Sequence, residues 1–435
     1  MKVYVRALGC RLNYAEMDAL ARALAANGHV VTDSPDEAEQ IVLNTCAVTQ
    51  DAVHSSRKLT RQLHKAAPEA AITLTGCYAQ LAPAVASGLP GVISVAGNQE
   101  KDALAGRWEP AGDFDLEPLQ RAARVARTRA FIKVQDGCDN ACTFCITTVA
   151  RGEGRSRPAD AIVAEIGLLT ALGCREAVLT GVHLGSYGLD EGRGHQLAAL
   201  IRRILDETDV PRLRLSSLEP WDLTPEFFDL WRDDRLCPHL HLPLQSGCDA
   251  TLRRMARRTS QAAFCDLLAA ARGRMPDPAI TTDVIAGFPG ETEAEFEESL
   301  AFIARQGFAG MHIFRYSPRA GTPAARMRGA VDEAVKQDRS DRLHALAAES
   351  QAAYARRWLG RELPVLWEQV AGATEDGFLN VGYTPNYLRA ACVHNAALSH
   401  TVSRARLDSY DEDAGQVRVT PLLDDGPPAQ GAGNG

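Results

Sequence analysis

Cys138, Cys142 and Cys145 stand in the run FIKVQDGCDNACTFC, a C-x-x-x-C-x-x-C spacing just after an apolar, strand-like stretch. Three thiols this close can hold three irons of a 4Fe-4S cube and leave the fourth iron without a protein ligand. A cluster used only to store electrons is usually capped by four cysteines, so the open corner is what catalysis at iron requires. A zinc knuckle is the plain alternative, but zinc wants four ligands and usually paired C-x-x-C spacings.

Three more cysteines close similar phrases: Cys10 ends VYVRALGC, Cys46 lies in IVLNTCAV and Cys77 in ITLTGCYAQ. Each phrase is an apolar, β-branched run, as in a buried parallel strand, that ends in a polar or glycine turn holding the thiol. Separations of 36 and 31 residues leave room for a crossover helix between strands. All three thiols then project from the carboxyl edge of one sheet, where open α/β sheets bind ligands. A single buried cysteine is most often an inert small hydrophobe, but three at equivalent strand ends argue against that reading.

Residues 131 to 157, FIKVQDGCDNACTFCITTVARGEGRSR, resemble the radical S-adenosylmethionine enzymes and, within them, the methylthiotransferases. The resemblance implies that the Cys138/Cys142/Cys145 cluster binds S-adenosylmethionine at its open iron and that Cys10, Cys46 and Cys77 hold a second 4Fe-4S cluster. It also implies a two-stage reaction. One cofactor molecule methylates sulfur held by the second cluster, and another is split to a 5′-deoxyadenosyl radical that attacks carbon 2 of an adenine ring. GCRLNYAEMDAL, LNTCAVTQDAV and FRYSPRAGTPAARM look most like the bacterial enzymes that act on threonylcarbamoyl-adenosine beside the tRNA anticodon. Sister enzymes act on isopentenyl-adenosine or on an aspartate of a ribosomal protein. Relatives commonly read CIIPYARG where this chain has CITTVARG, a change that bears on loop shape and removes no ligand. The implied partners are the tRNA anticodon stem-loop, an electron donor such as flavodoxin or ferredoxin, and a sulfur donor. A non-enzymatic iron-sulfur electron carrier or RNA-bound redox sensor is the reading from another class.

The chain has 435 residues, enough for two or three domains. No apolar stretch is long enough to cross a bilayer, and the opening MKVYVRALGC lacks the layout of a signal peptide. Eleven cysteines, scattered or at ligand spacing, point to metal chemistry in a reducing compartment and a cytoplasmic location. Net charge is −8, which alone gives no support for a nucleic-acid partner. Arginine outnumbers lysine 41 to 6; guanidinium suits phosphate, though genomic composition also explains the bias.

The expected fold is α/β in three parts. Residues 1 to 105 read as a parallel α/β sheet domain, with Asn27-Gly28 stopping its first helix. Residues 106 to 128 read as a linker. Its Arg121, Arg124 and Arg127, with Arg129, form either a solvated strip or an RNA-facing one. From 129 to 357 six strand-like runs alternate with helices, as in a partial (β/α)6 barrel with a trailing helix. Residues 358 to 422 read as a small β-barrel, in which GYTPNYLRAACV resembles the RNA-binding TRAM barrel. Its near-neutral charge weakens an RNA role, and Tyr383 and Tyr387 suit either base stacking or the barrel core. Residues 423 to 435 read as a disordered tail.

Candidate cofactor contacts lie at the barrel's strand ends: Gly181 and Gly185 in LTGVHLGSYG, Ser217 and Glu219 in RLSSLEP, and Gln245 in HLPLQSGC. Thr292 and Glu295 stand at capping-box spacing. Arg151 and Arg157 are candidates for the cofactor carboxylate or RNA phosphate, with a surface role as the alternative. Arg253, Arg254, Arg257 and Arg258 form a basic helix face, either solvated or phosphate-binding. His239 and His241 alternate along one strand, more in keeping with hydrogen-bonded interior histidines than with a metal site. Cys174, Cys237, Cys248, Cys265 and Cys392 read as structural.

Overall fold

The first hundred residues build a five-stranded, wholly parallel sheet from β1 Lys2–Ala7, β2 Val30–Thr32, β3 Gln40–Thr45, β4 Ala71–Gly76 and β5 Val92–Val95, in the order β2-β1-β3-β4-β5. Every residue of the central strand β3 is buried, which explains its unbroken apolar texture. The chain turns from one side of the sheet to the other between β1 and β3, the switch point at which such sheets open a crevice. Helix α1, Arg11–Ala26, ends at Asn27 with Gly28 at φ +82°. Helix α2, Gln50–Ala66, starts where the Thr49 hydroxyl accepts from the Ala52 N–H at 3.1 Å, and α3 is the short helix Cys77–Leu81.

This is a computed structural model that describes residues 1–108 and 128–422. Most of the expected linker, with Arg121, Arg124 and Arg127, and the expected tail lie outside the described residues.

The second layer begins with β6 Arg129–Lys133. A two-residue ribbon, β7 Gln135–Asp136 against β8 Arg155–Ser156, then brackets the cysteine loop. Five further parallel strands follow: β9 Glu176–Thr180, β10 Leu213–Leu215, β11 His239–His241, β12 Ala279–Ala286 and β13 Gly310–Arg315. They pair as β10-β9-β6 and β11-β12-β13, and a bridge between Ser217 and His241 joins the two sets. The result is a six-stranded partial barrel. Alternate residues such as Ala130, Ile132, Leu240, Ile280 and Val284 face the helices in one large core with Phe264, Phe296 and Phe302. Each such side chain contributes roughly 1.5–3 kcal/mol by its burial. The intervening residues of β6 face α1: Phe131 packs its ring on Tyr14, and Lys133 lies 3.6 Å from Glu16. Helix Glu293–Gln306 carries the expected capping box, Thr292 and Glu295 each accepting from the other's backbone N–H.

These two layers lie within one compact unit, Met1–Ala347; a second unit comprises Ala348–Gly435. Helix Glu333–Arg356 leads into that second unit, a closed five-stranded barrel of β14 Glu362–Thr374, β15 Gly377–Tyr383, β16 Arg389–His394, β17 Val402–Asp411 and β18 Gln416–Leu422. The long, bulged β14 pairs with both β15 and β17 and closes the ring around the buried Trp367, whose indole donates to Ser403 at 2.8 Å. Tyr383 and Tyr387 stack on each other at 5.0 Å.

Candidate active site

The turns that end β1, β3 and β4 carry Cys10, Cys46 and Cys77. These strands are neighbours, so all three thiols reach the same sheet edge. Gly9 makes this possible: it has φ +96°, and a Cβ there would stand 2.6 Å from both Cβ and Sγ of Cys46. Gly76 does the same beside Cys77, where a Cβ would meet Asn44 Oδ1 at 2.3 Å. Cys10 has accessible surface, yet burial pushes its thiol pKa up, with the Arg151 charge opposing. Burial pushes Cys46 up to about 11, and the charges of Cys10 and Cys77 add to that. The sulfurs of Cys10 and Cys77 therefore lie close enough to Cys46 to hinder its ionisation, as befits a ligand set whose charge a cation stabilises.

The second set occupies the loop between β7 and β8. Its backbone is held by Cys138 N–H to Gly152 O (3.0 Å), Cys145 N–H to Cys142 O (3.1 Å) and Thr143 N–H to Met255 O (3.0 Å). The sulfurs of Cys138 and Cys142 accept hydrogen bonds: from the Asn140 N–H at 3.4 Å, and from Arg257 Nη1 at 3.6 Å. Burial pushes Cys142 up to about 11 against the Arg257 charge. Burial also raises Cys145, opposed by the Thr147 hydroxyl and N–H, so the CITTVARG variant supplies donors to this sulfur. His183 stands beside Cys138. Burial disfavours its protonation, but Asp222 and the Cys138 sulfur outweigh that and push its pKa up to about 10. Three thiols ringed by N–H donors and cations fit an anionic iron-sulfur cluster.

Several charged residues land elsewhere than expected. Arg151 is buried, donating to Glu16 Oε1 (2.8 Å), Asp136 Oδ1 (2.8 Å) and Asn13 Oδ1 (2.7 Å), with its charge near Cys10 and Cys77. Lys101, 2.6 Å from Glu16, and Lys133 complete this network, which binds α1 to the cysteine loop. Arg157 is engaged by Glu165 at 2.9 Å and by the Lys133 carbonyl. Arg254 pairs with Glu295, and Arg257 is buried over the Trp221 ring at 4.4 Å, so these two do not belong to a solvated face. Arg129 lies in β6, 4.0 Å from Glu176, not in a solvated strip. Cys265 is exposed on its helix, unlike the buried Cys174, Cys237, Cys248 and Cys392.

The expected cofactor contacts gather around the same loop. Glu219 accepts from Arg257 at 2.7 Å, and Ser217 sits at the β10–β11 seam. The close approaches at Gly181 and Gly185 are made by Gln135 and Asp222: a Cβ would meet Gln135 Oε1 at 3.0 Å and Asp222 Oδ2 at 2.4 Å. Gln245 is buried in a left-handed conformation, φ +75°, the kind of strain that clusters at working sites. His239 and His241 both hydrogen-bond Thr281 Oγ1, at 3.3 and 2.9 Å. Sequence reasoning missed Asn140, His183, Asp222 and Asp283, although His183 stands inside the glycine-rich phrase and Asp222 three residues past Glu219. A cavity of about 190 Å³ is lined by Val48 and Thr49, just past Cys46, by Phe144–Thr147 around Cys145, and by Gln245, Asp283 and Arg319. The cavity adjoins Cys145 directly and Cys46 through Val48 and Thr49, so one substrate bound there would lie near both thiol sets.

Residues 132–303 match the radical SAM superfamily, and residues 2–96 match the family described as uncharacterized protein family UPF0004. The fold is also that of the radical S-adenosylmethionine methyltransferase TsrM from Kitasatospora setae, solved with cobalamin and a 4Fe-4S cluster bound: TM-score 0.54, 15% identity, 74% of this chain and 77% of that one. Fold and site together define a radical SAM enzyme. Threonylcarbamoyladenosine tRNA methylthiotransferase MtaB of Bacillus subtilis is 38% identical over 398 residues, 88% of each chain. Its Thermotoga maritima counterpart is 38% identical over 407 residues, 90% of this chain and 92% of that one. The tRNA-2-methylthio-N(6)-dimethylallyladenosine synthase of a Parafrankia species is 37% identical over 379 residues, 83% of this chain and 77% of that one. The chain belongs to the radical SAM methylthiotransferase family, and it uses S-adenosylmethionine and 4Fe-4S clusters.

Proposed function

We propose that this enzyme places a methylthio group on carbon 2 of N6-threonylcarbamoyladenosine beside the anticodon of tRNA, with Cys138, Cys142 and Cys145 holding the cluster that binds the cofactor and Cys10, Cys46 and Cys77 holding the second. The observation that carries this reading is a cavity lined by Cys145 of one thiol set and by Val48 and Thr49, which follow Cys46 of the other. An aromatic C–H offers no acidic proton, so the bound cofactors supply the radical and sulfur chemistry. The protein's own part is placement. Gly9 and Gly76 set the spacing of one thiol set; Asn140, His183 and Arg257 donate to the other. Phe144, Ile285 and Tyr316 give the cavity apolar walls that exclude water, while Gln245 offers its amide to a polar edge. Gly181, Gly185, Ser217 and Glu219 complete the proposed cofactor shell. A low-potential carrier such as flavodoxin or ferredoxin supplies the electron, a separate donor supplies the sulfur, and the enzyme works in the cytoplasm. Among the described residues no helix is long and apolar enough to cross a membrane. The Parafrankia relative keeps dimethylallyladenosine as a second reading.

Anaerobic reconstitution tests the assignment. Roughly eight irons per chain are expected from two four-iron cubes. Cys142→Ala should abolish reductive cleavage of S-adenosylmethionine, and Cys46→Ala should spare cleavage but abolish methylthiolation. Methylthiolated product from the Cys46 variant would refute this division of labour.

A further inference from the structure

Arg319 borders the cavity between the two thiol sets and is only 8% exposed. Its Nη2 donates to the carbonyl of Ala47, next to Cys46, at 2.5 Å. The segment it leads is tied to the other loop as well, because Ala324 N–H donates to Thr143 O at 2.9 Å. Arg319 Nε and Nη1 have no hydrogen-bond partner among the described residues. A buried guanidinium with unmet donors is costly unless an anion or water meets them; the Cys46 sulfur lies near enough to act on its charge but takes neither Nε nor Nη1. Asp283, which faces His241 at 3.2 Å, also lines this cavity and repels anions. An anion entering this hollow is therefore drawn to Arg319.

We propose that Arg319 binds an oxyanion of the target nucleotide, resting here on the tRNA reading above. Two sources on one substrate share this chemistry: the carboxylate of the threonylcarbamoyl group, and the phosphate flanking the adenosine. Both suit the planar fork of arginine, which pairs with carboxylate and phosphate alike. The adenine ring meets the apolar walls while its anion meets the guanidinium.

The test is equilibrium binding of synthetic anticodon hairpins to reconstituted enzyme without turnover. One hairpin carries threonylcarbamoyladenosine, one plain adenosine, and one plain adenosine with methylphosphonates flanking it. Arg319→Gln should weaken an anion-bearing hairpin by about ten- to hundredfold with iron content unchanged, and Arg319→Lys should lie between. Loss of the preference for the threonylcarbamoyl hairpin alone identifies the carboxylate. Equal weakening of both phosphate hairpins, with no further loss from methylphosphonate, identifies the phosphate. Unchanged binding of all three, or loss of iron in both variants, overturns the proposal. A wild-type enzyme that prefers none of these hairpins to an unrelated one would instead sink the tRNA reading on which it rests.

Discussion

Gly9 shows how much of the auxiliary site depends on one absent methyl group. A side chain at φ +96° costs roughly 1–2 kcal/mol in the backbone alone, and its Cβ would also press on Cys46 at 2.6 Å. Gly9→Ala should therefore drop reconstituted iron from roughly eight toward four per chain while leaving S-adenosylmethionine cleavage in place; retention of the full iron content would contradict the packing argument. Buried charge makes a second prediction. Burial opposes ionisation of Glu176, but Arg214 at 2.7 Å and Arg212 at 2.8 Å outweigh it and hold its pKa at about 2. A carboxyl lowered from an ordinary 4.5 adds stability above that pH, and the contribution fades as pH falls toward 2. Urea midpoints of Glu176→Gln should thus vary less than wild type between about pH 5 and pH 2. The six cysteines proposed as cluster ligands stand out in the sequence because ligand spacing and strand ends are local signals, and the structure does bring Cys10, Cys46 and Cys77 to neighbouring strand ends. The roles of Arg151 and Arg257 do not stand out, since their partners Glu16 and Glu219 lie 135 and 38 residues away.

At the level of elements, local rules and burial agree almost throughout. The six barrel strands announced themselves as apolar runs, and the capping box of helix Glu293–Gln306 could be read directly from Thr292 and Glu295. Thr292→Ala should cost about 1 kcal/mol, visible as a lowered denaturation midpoint without loss of either cluster; no change would mean that packing alone fixes this helix. Strand β17 escaped notice. It alternates charged and apolar residues, and only Ala405 and Leu407 are buried, so its place in the barrel comes from its pairing with β14 and β18. The phrase GCRLNYAEMDAL has a comparable hidden logic. Asn13 ties Leu8 O, Thr45 O and Arg151 together, and Glu16 receives Arg151, Lys101 and Asn44, so the helix that begins after Cys10 also fixes the other cysteine loop.

Across Met1–Ala347, the N-terminal sheet and the partial barrel meet through that buried network, and its cations and carboxylates largely neutralise one another. Breaking a pair of this kind typically costs 3–5 kcal/mol, which explains why two layers with separate cores hold their thiol sets in fixed relation. What the sequence conveys less directly is the choice of adenosine, since relatives that act on different substituents are 38% and 37% identical to this chain. The substituent must be read inside the cavity, by a handful of side chains. Mass spectrometry of tRNA nucleosides from cells lacking this protein addresses that choice most directly. The 2-methylthio form of threonylcarbamoyladenosine should vanish, with its unthiolated precursor retained and restored to product only by a gene with all six cysteines intact. Persistence of that nucleoside, with loss instead of the methylthiolated dimethylallyl form, would contradict the assignment.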